Sequence, residues 1–348
     1  MDIKLLSPHD VYAEQIKTFL SLTFPSSISN DRKVLLETLT SLIIGSKQSR
    51  YGAIQDPESL VSLREVINGS ISNGDSIPII VPWGGSKQSS FLGVDIADVC
   101  ALKQIQCMYN RVLDSYKPGL NILIRLEDLT DKVIFGVGER DAQIENYTIA
   151  IQKLIKILNI PVKSFLESEI MGPHEFLEAS RKYGQTIFMA LNQKTEEKKF
   201  HLLKSIGWTG IIPEEQFNYY VKCYAKFYPT LSVEKRFEKI CMYFGSSLAR
   251  KNLHGTGVDK WAINLSFAPP IPGAPGGRRI YYRTIPERFT NCHKAPWIGK
   301  GYLRIKGRKI YPNIAGWDGE GFNYQPMKIE LTNDKVSTIV DADYVIEE

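Results

Sequence analysis

Three groupings of residues in this sequence carry chemistry. The first is Gly84-Gly85-Ser86-Lys87, reached directly from the apolar run Ile77-Pro78-Ile79-Ile80-Val81-Pro82-Trp83. Two glycines let the backbone turn tightly and offer N–H groups to an anion, and the neighbouring lysine amine can hold a phosphate or condense with a carbonyl as an imine. A Walker phosphate loop is excluded, because that motif sets Gly-Lys-Ser/Thr directly before a helix, whereas Lys87 is followed by Gln88-Ser89-Ser90. The plain alternative is a tight turn. The second grouping, Glu127-Asp128, closes another strand-like run, Leu120 to Leu126, where acidic side chains can bind an amine or act as a general base; a turn is again the alternative. The third is a basic run: between residues 278 and 309, Arg278, Arg279, Arg283, Arg288, Lys294, Lys300, Arg304, Lys306, Arg308 and Lys309 face Glu287 alone, a local charge of +9 within a chain of +5.

Tyr281, Tyr282, Phe289, His293, Trp297 and Tyr302 interleave with those cations, a mixture suited to attracting phosphate and stacking on planar ligands. The candidate phosphate-binding set is therefore Gly84, Gly85 and Ser86 with Arg279, Arg283, Arg288, His293 and Lys300, and the candidate catalytic set is Lys87, Asp128 and Glu127. The implied partner is a phosphorylated small molecule, with nucleic acid as the rival and a solvated basic β surface as the alternative to both. No metal or cofactor is implied. Cys292-His293 lacks further ligands at metal spacing, Gly136-Val137-Gly138 is too short for a dinucleotide fingerprint, and nucleophile-elbow, zincin and kinase signatures are absent.

The elements that must position these groups follow from the hydrophobic pattern. Helices are expected in the first 50 residues, where Asn30 or Asp31 can cap, Leu35, Leu39 and Leu42 form a face and Gly45 can end it. Another is expected from Asp56-Pro57, with Leu60, Leu63 and Ile67 as its face and Asn68-Gly69 as its stop. The order strand (Ile77 to Trp83), loop, helix (Asp95 to about Tyr116), strand (Leu120 to Leu126) predicts a right-handed βαβ unit, which binds ligands beyond the carboxyl ends of its strands. Asp95 reads as the cap of that helix. A further strand over Lys132 to Gly138, a helix marked by Ile144, Ile151, Leu154 and Leu158, and a strand over Val162 to Leu166 continue the alternation. Helical segments fill Gly172 to Leu253. Beyond the proline- and glycine-rich residues 268–277, Ile280 to Thr284, Gly301 to Ile305, Ile310 to Tyr311 and Val336 to Tyr344 read as short strands.

The fold class expected is therefore α/β: a Rossmann-like parallel-sheet domain with N-terminal helices over 1–170, a helical subdomain over 171–258, and a basic, mostly-β C-terminal region over 259–348. With 43% hydrophobic and 23% charged residues the 348-residue chain is of ordinary globular composition, which sets aside fibrous and wholly disordered classes. Its apolar runs fall far short of the roughly 18 residues a membrane span needs. The start shows no secretory pattern, and the five cysteines are odd in number and scattered, so a cytoplasmic setting with free thiols is expected, Cys100 and Cys107 packing on one helix face.

Pro82-Trp83-Gly84-Gly85-Ser86-Lys87, the acidic-led helix Asp95-Ile96-Ala97-Asp98-Val99-Cys100-Ala101-Leu102, the strand opening Tyr116-Lys117-Pro118-Gly119 and the terminal Glu127-Asp128 occur in an order that resembles the pyoverdine/dityrosine biosynthesis family, over Pro78 to about Ser168. That family includes isocyanide synthases, which convert an amino acid's amine to an isonitrile with a carbon from a pentulose phosphate. The family's Lys-Ser order is reversed in Ser86-Lys87, and Leu129 stands where the family carries a glycine after its aspartate. The resemblance implies that Lys87 meets the sugar phosphate, at its carbonyl or its phosphate, and that Asp128 lies near the substrate amine.

Overall fold

A computed structural model describes residues 1–6, 12–22, 35–45, 57–85, 93–135, 141–208, 217–218, 220–222, 225, 230–253, 261–268, 279–290, 294–297, 299–315, 323–334 and 336–347. Ser86, Lys87, Arg278, Cys292 and His293 lie outside the described residues, as do Asn30, Asp31, Asp56, Cys223, His254, the Gly136-Val137-Gly138 stretch and residues 269–278.

In chain order the elements are β1 (Asp2–Leu5), α1 (Ala13–Ser21), α2 (Leu35–Ile44), α3 (Pro57–Asn73), β2 (Ile77–Gly84), β3 (Val94–Asp95), α4 (Ile96–Ser115), β4 (Leu120–Glu127), α5 (Asp128–Phe135), α6 (Asp141–Ile157), β5 (Val162–Leu166), a 3-10 turn (Glu167–Glu169), α7 (Pro173–Leu191), α8 (Glu196–Ser205), α9 (Val233–Leu253), β6 (Ile263–Ser266), β7 (Arg279–Tyr281), β8 (Gly301–Lys306), β9 (Lys309–Ile314), β10 (Lys328–Asn333), β11 (Val336–Asp341) and β12 (Tyr344–Glu347). The class is α/β, with a strand-rich C-terminal region.

The runs Ile77 to Trp83 of β2 and Leu120 to Leu126 of β4 are apolar throughout except for the exposed Asn121 and the buried, ion-paired Arg125, and such strands belong in the middle of a parallel sheet covered on both sides. They occupy that place in a five-stranded sheet of order β5-β4-β2-β6-β7, with every pairing parallel. β2 and β4 stay in register from Ile77↔Leu120 to Gly84↔Glu127. β6 and β7 come from beyond residue 259 and join strands from before residue 170. Part of the remaining tail pairs with the N-terminus as well, in a second sheet β1-β10-β11-β3, while β12-β8-β9 form a third sheet from the tail alone. One apolar core runs through all of this, from Ile16 and Leu39 through Ile79, Ile105 and Ile124 to Leu303, Ile329 and Val340.

Three readings of the sequence need correction. The segment Lys132 to Gly138, expected as a strand, falls largely within the helix α5; a short apolar run does not distinguish the two states, and here Leu129 and Val133, one helical turn apart, bury together against Met171, Phe176 and Ala249. α3 does not stop at Asn68-Gly69 but runs to Asn73: a glycine inside a helix costs only about 1 kcal/mol and does not by itself end it, while Gly74, at φ +71°, supplies the left-handed residue that does. The N-terminus opens on a strand, β1, whose pairing with β10 spans the whole chain. Other signals hold: Gly45, at φ +78°, ends α2, and Cys100, Cys107 and Cys241 are free thiols, Cys100 and Cys241 buried and Cys107 half-buried.

The helical segment has its own core, built from Ile187, Leu203, Trp208, Ile240 and Phe244. Its axis is the α7–α9 pair. A Cβ on Gly245 would lie 2.6 Å from the Gly184 backbone nitrogen, and one on Gly184 would lie 2.7 Å from the Met242 Cα, so the two helices touch backbone to backbone. Among the described residues no helix is long and apolar enough to cross a membrane. Gly245→Val should force α7 and α9 apart and lower stability by about 1–3 kcal/mol, the usual cost of overpacking; thermal denaturation measures it, and an unchanged transition would show that the helices do not meet there.

Candidate functional site

Every strand of a parallel sheet ends at the same edge, which gathers residues distant in sequence into one place. Here the register sets Gly84 beside Glu127 and Leu126 beside Leu166, so that Gly84-Gly85, Glu127-Asp128 and the Glu167–Glu169 turn share the carboxyl edge. Both glycines are demanded by contact. A side chain at 84 would strike the Trp297 ring, and a Cβ at 85 would sit 2.6 Å from the Asp128 Cα and 2.7 Å from its nitrogen. The backbone of the glycine turn is thus laid directly on the start of α5.

Around this contact lies a cluster of buried charge. Glu167 is fully buried and Asp128 is 2% exposed. Arg125, on β4, reaches Glu127 at 3.1 Å and Glu167 at 3.8 Å. Arg250, from α9, pairs through its Nε with Glu167, reaches Glu127 at 3.5 Å, and donates to the Thr130 hydroxyl of α5. Asp128 accepts from the Ser168 backbone N–H at 3.0 Å and faces Lys132 at 3.9 Å. Burial holds the Glu167 carboxyl above its ordinary range, with the Glu127 charge adding to it, against the opposing pull of Arg250 and Arg125. Glu127 keeps a partly open face. It is the carboxylate of the cluster best placed to meet an incoming group.

Trp83 anchors the glycine turn from below. Its ring centroid lies 5.8 Å from those of Phe267 and Trp297, and its Nε1–H donates to the Tyr147 hydroxyl at 3.1 Å. Tyr147 in turn donates to Asp98 at 2.7 Å, and burial, with the Asp98 charge, raises that phenol well above its ordinary value. Asp98 and Asp95 form the capping box of α4: Asp95 accepts from the Ala97 N–H, and Asp98 from the Asp95 N–H, each at 2.9 Å. The second oxygen of Asp95 accepts from the Gly301 N–H at 2.7 Å. Asp95 is therefore a helix cap, and it also ties β8 to α4.

The structure scatters the basic run. Arg283 follows β7 at the carboxyl edge, is 8% exposed, and faces Glu287 at 3.6 Å, while its carbonyl accepts from the buried Gln104. Arg279 lies within β7, two strands from β2. Arg288 covers the Phe289 ring, Lys300 pairs with Asp343 and Arg304 with Glu347. Three of the aromatic residues expected as a stacking platform are interior: Tyr282, Trp297 and Tyr302 are 2%, 6% and 0% exposed, the first two within the main core and Tyr302 in a smaller cluster with Ala315 and Val345. Among the described residues no group of three or more histidine, cysteine or acidic side chains is arranged to hold a metal ion.

Sequence reasoning missed Arg250 and Glu167. Neither sits in a motif, and both become visible once β5 is placed beside β4 and α9 is folded against α5.

No protein-family model and no curated protein matches the sequence. Among solved structures, the PvcA protein from Pseudomonas aeruginosa superposes with a TM-score of 0.56 at 15% identity, over 90% of this chain and 100% of that one. The two chains share a fold. The tyrosyl-tRNA synthetase from Archaeoglobus fulgidus, solved with L-tyrosine, gives 0.31 at 14% identity over 72% of this chain and 63% of its own. The Leishmania major tyrosyl-tRNA synthetase, solved with tyrosinol, gives 0.27 at 13% identity over 64% and 28%. Scores that low say nothing about this fold.

Removing one partner from a buried ion cluster leaves an uncompensated charge, which commonly costs 3–5 kcal/mol. Arg250→Met should therefore lower stability by about that amount. The double variant Arg250→Met/Glu167→Gln should be less destabilised than the sum of the two single variants, as chemical denaturation will show; strict additivity would mean the pair is not in contact.

Proposed function

We propose that this protein is a biosynthetic enzyme that joins the amine of an amino acid to a carbon of a phosphorylated sugar, at the carboxyl edge of its parallel sheet. The observation that carries this reading is the seating of the Gly85 backbone on Glu127-Asp128, which puts a turn able to receive an anion beside a partly open carboxylate able to receive an amine. The fold shared with PvcA, and the sequence resemblance to the isocyanide-synthase family over Pro78 to Ser168, support it.

The chemistry asked of the site begins with a proton. An amino acid arrives as an ammonium ion, which is no nucleophile; Glu127 first pairs with it and then takes its proton. The free amine attacks the carbonyl carbon of the sugar, a C–N bond forms, and the oxygen leaves as water once it has gained protons, giving an imine. Lys87 is assigned to the sugar, holding its phosphate or its carbonyl. Asp128 acts on the site through structure, since its carboxylate fixes the Ser168 N–H and the adjoining turn rather than facing outward. Arg125 and Arg250 keep Glu127 oriented.

The reaction is tested by incubating the protein with each amino acid and a pentulose phosphate and following, by mass spectrometry, loss of the amino acid and formation of its imine adduct with the sugar. One amino acid should be consumed only when the sugar phosphate is present, and Glu127→Gln should slow turnover by about 10²- to 10⁴-fold, the usual worth of a general base. Failure of every amino acid to consume the sugar, with folded protein, would sink the reading.

A further inference from the structure

The β3–β11 junction is a second place where buried carboxylates meet. β3 has two residues, and its pairing with β11 is limited to Val94↔Val340 and Asp95↔Asp341. That short parallel ladder joins the C-terminal sheet to the cap of α4, and it sets two aspartates side by side, where like charges oppose pairing. Their surroundings differ. Asp95 accepts from the N–H groups of Ala97 and Gly301, and Asp343 from the Met327 N–H while also pairing with Lys300. Asp341 is 9% exposed, yet no described residue donates a hydrogen bond to its carboxylate.

We propose that the β3–β11 junction is a proton-operated clasp, loosened when Asp341 is ionised and tightened when it takes up a proton. The charged groups facing Asp341 are Lys328 from β10, Asp95 from β3, Asp343 from the turn before β12 and Lys300 from the segment before β8. Glu330, further along β10, faces Lys4. α6 also packs on β11, but its Tyr147 hydroxyl is committed to Asp98. Two cations do not offset burial and two aspartates: burial foremost pushes the Asp341 carboxyl up to about 6. A carboxyl raised in the folded state binds its proton more tightly there than in the opened state. The contribution of Asp341 to the junction is therefore greatest below about pH 4, is lost as pH rises from about 4 to 6, and changes no further above that. Between the ordinary value of 3.8 and about 6, the linkage amounts to a change in closing equilibrium of at most roughly a hundred-fold.

Hydrogen exchange of peptides spanning Val94–Asp95 and Val340–Asp341, corrected for the intrinsic pH dependence of exchange, reads the clasp directly. Protection should be flat above about pH 6, begin to rise as pH falls below that and go on rising to about pH 4, and should be high and flat in pH in Asp341→Asn. Lys328→Met, which leaves Asp341 in place but removes a facing cation, should move the onset above 6 and serves where Asp341→Asn does not fold. Protection that does not change with pH in the native protein, a pH dependence retained in Asp341→Asn, or an onset unmoved by Lys328→Met would each overturn the proposal. None of these readings depends on the reaction assigned to the carboxyl edge.

Discussion

A carboxylate with no exposure to water, such as Glu167, survives in a fold only if compensating charges are delivered to it. Here they come from two directions. Arg125 is built into β4, two residues from Glu127, so the sheet supplies it locally; Arg250 is carried in by α9, more than 80 residues further along the chain. The helical segment is thereby bound to the parallel sheet through the site itself. α5 is held between them, with Thr130 accepting from Arg250 and with Leu129 and Val133 packed on Phe176 and Ala249. The rigidity of this arrangement rests in turn on the backbone contact between α7 and α9 at Gly184 and Gly245.

The other flank of the carboxyl edge is organised by Asp95. Its carboxylate starts α4 and receives the Gly301 N–H, while Asp98 beside it receives the Tyr147 hydroxyl, which itself receives the Trp83 N–H. The strand bearing the glycine turn, the helix that follows it and the C-terminal sheets are thus joined by one buried hydrogen-bond chain. Full satisfaction of such a network makes it specific, because each missing partner would leave a polar group stranded away from water.

The sequence announces what is local and hides what is assembled. β2, α4 and β4 are legible because long apolar runs and an Asp-led cap leave few alternatives, and from them the shared edge of Gly84-Gly85 and Glu127-Asp128 follows by topology alone. α5 is not legible, since its apolar residues suit a strand as well as a helix until Phe176 and Ala249 arrive to cover them. The placement of β6 and β7 is hidden for a similar reason: a short strand carries no mark of which sheet it will join. The basic run is legible as charge but not as geometry: a count along the chain does not show that Arg288 covers Phe289, that Lys300 pairs with Asp343 and Arg304 with Glu347, or that Tyr282 and Trp297 pack in the core.

The central claim is that the carboxyl edge of the parallel sheet receives a phosphorylated sugar at the glycine turn beside Glu127. Titration of the isotopically labelled chain with a pentulose phosphate, followed by backbone amide NMR, tests it most directly. Shifts concentrated at Gly84-Gly85, Glu127 to Leu129 and Glu167-Ser168 are the predicted result; shifts confined to the exposed Lys306 to Lys309 turn, or absent at saturating sugar, would contradict it.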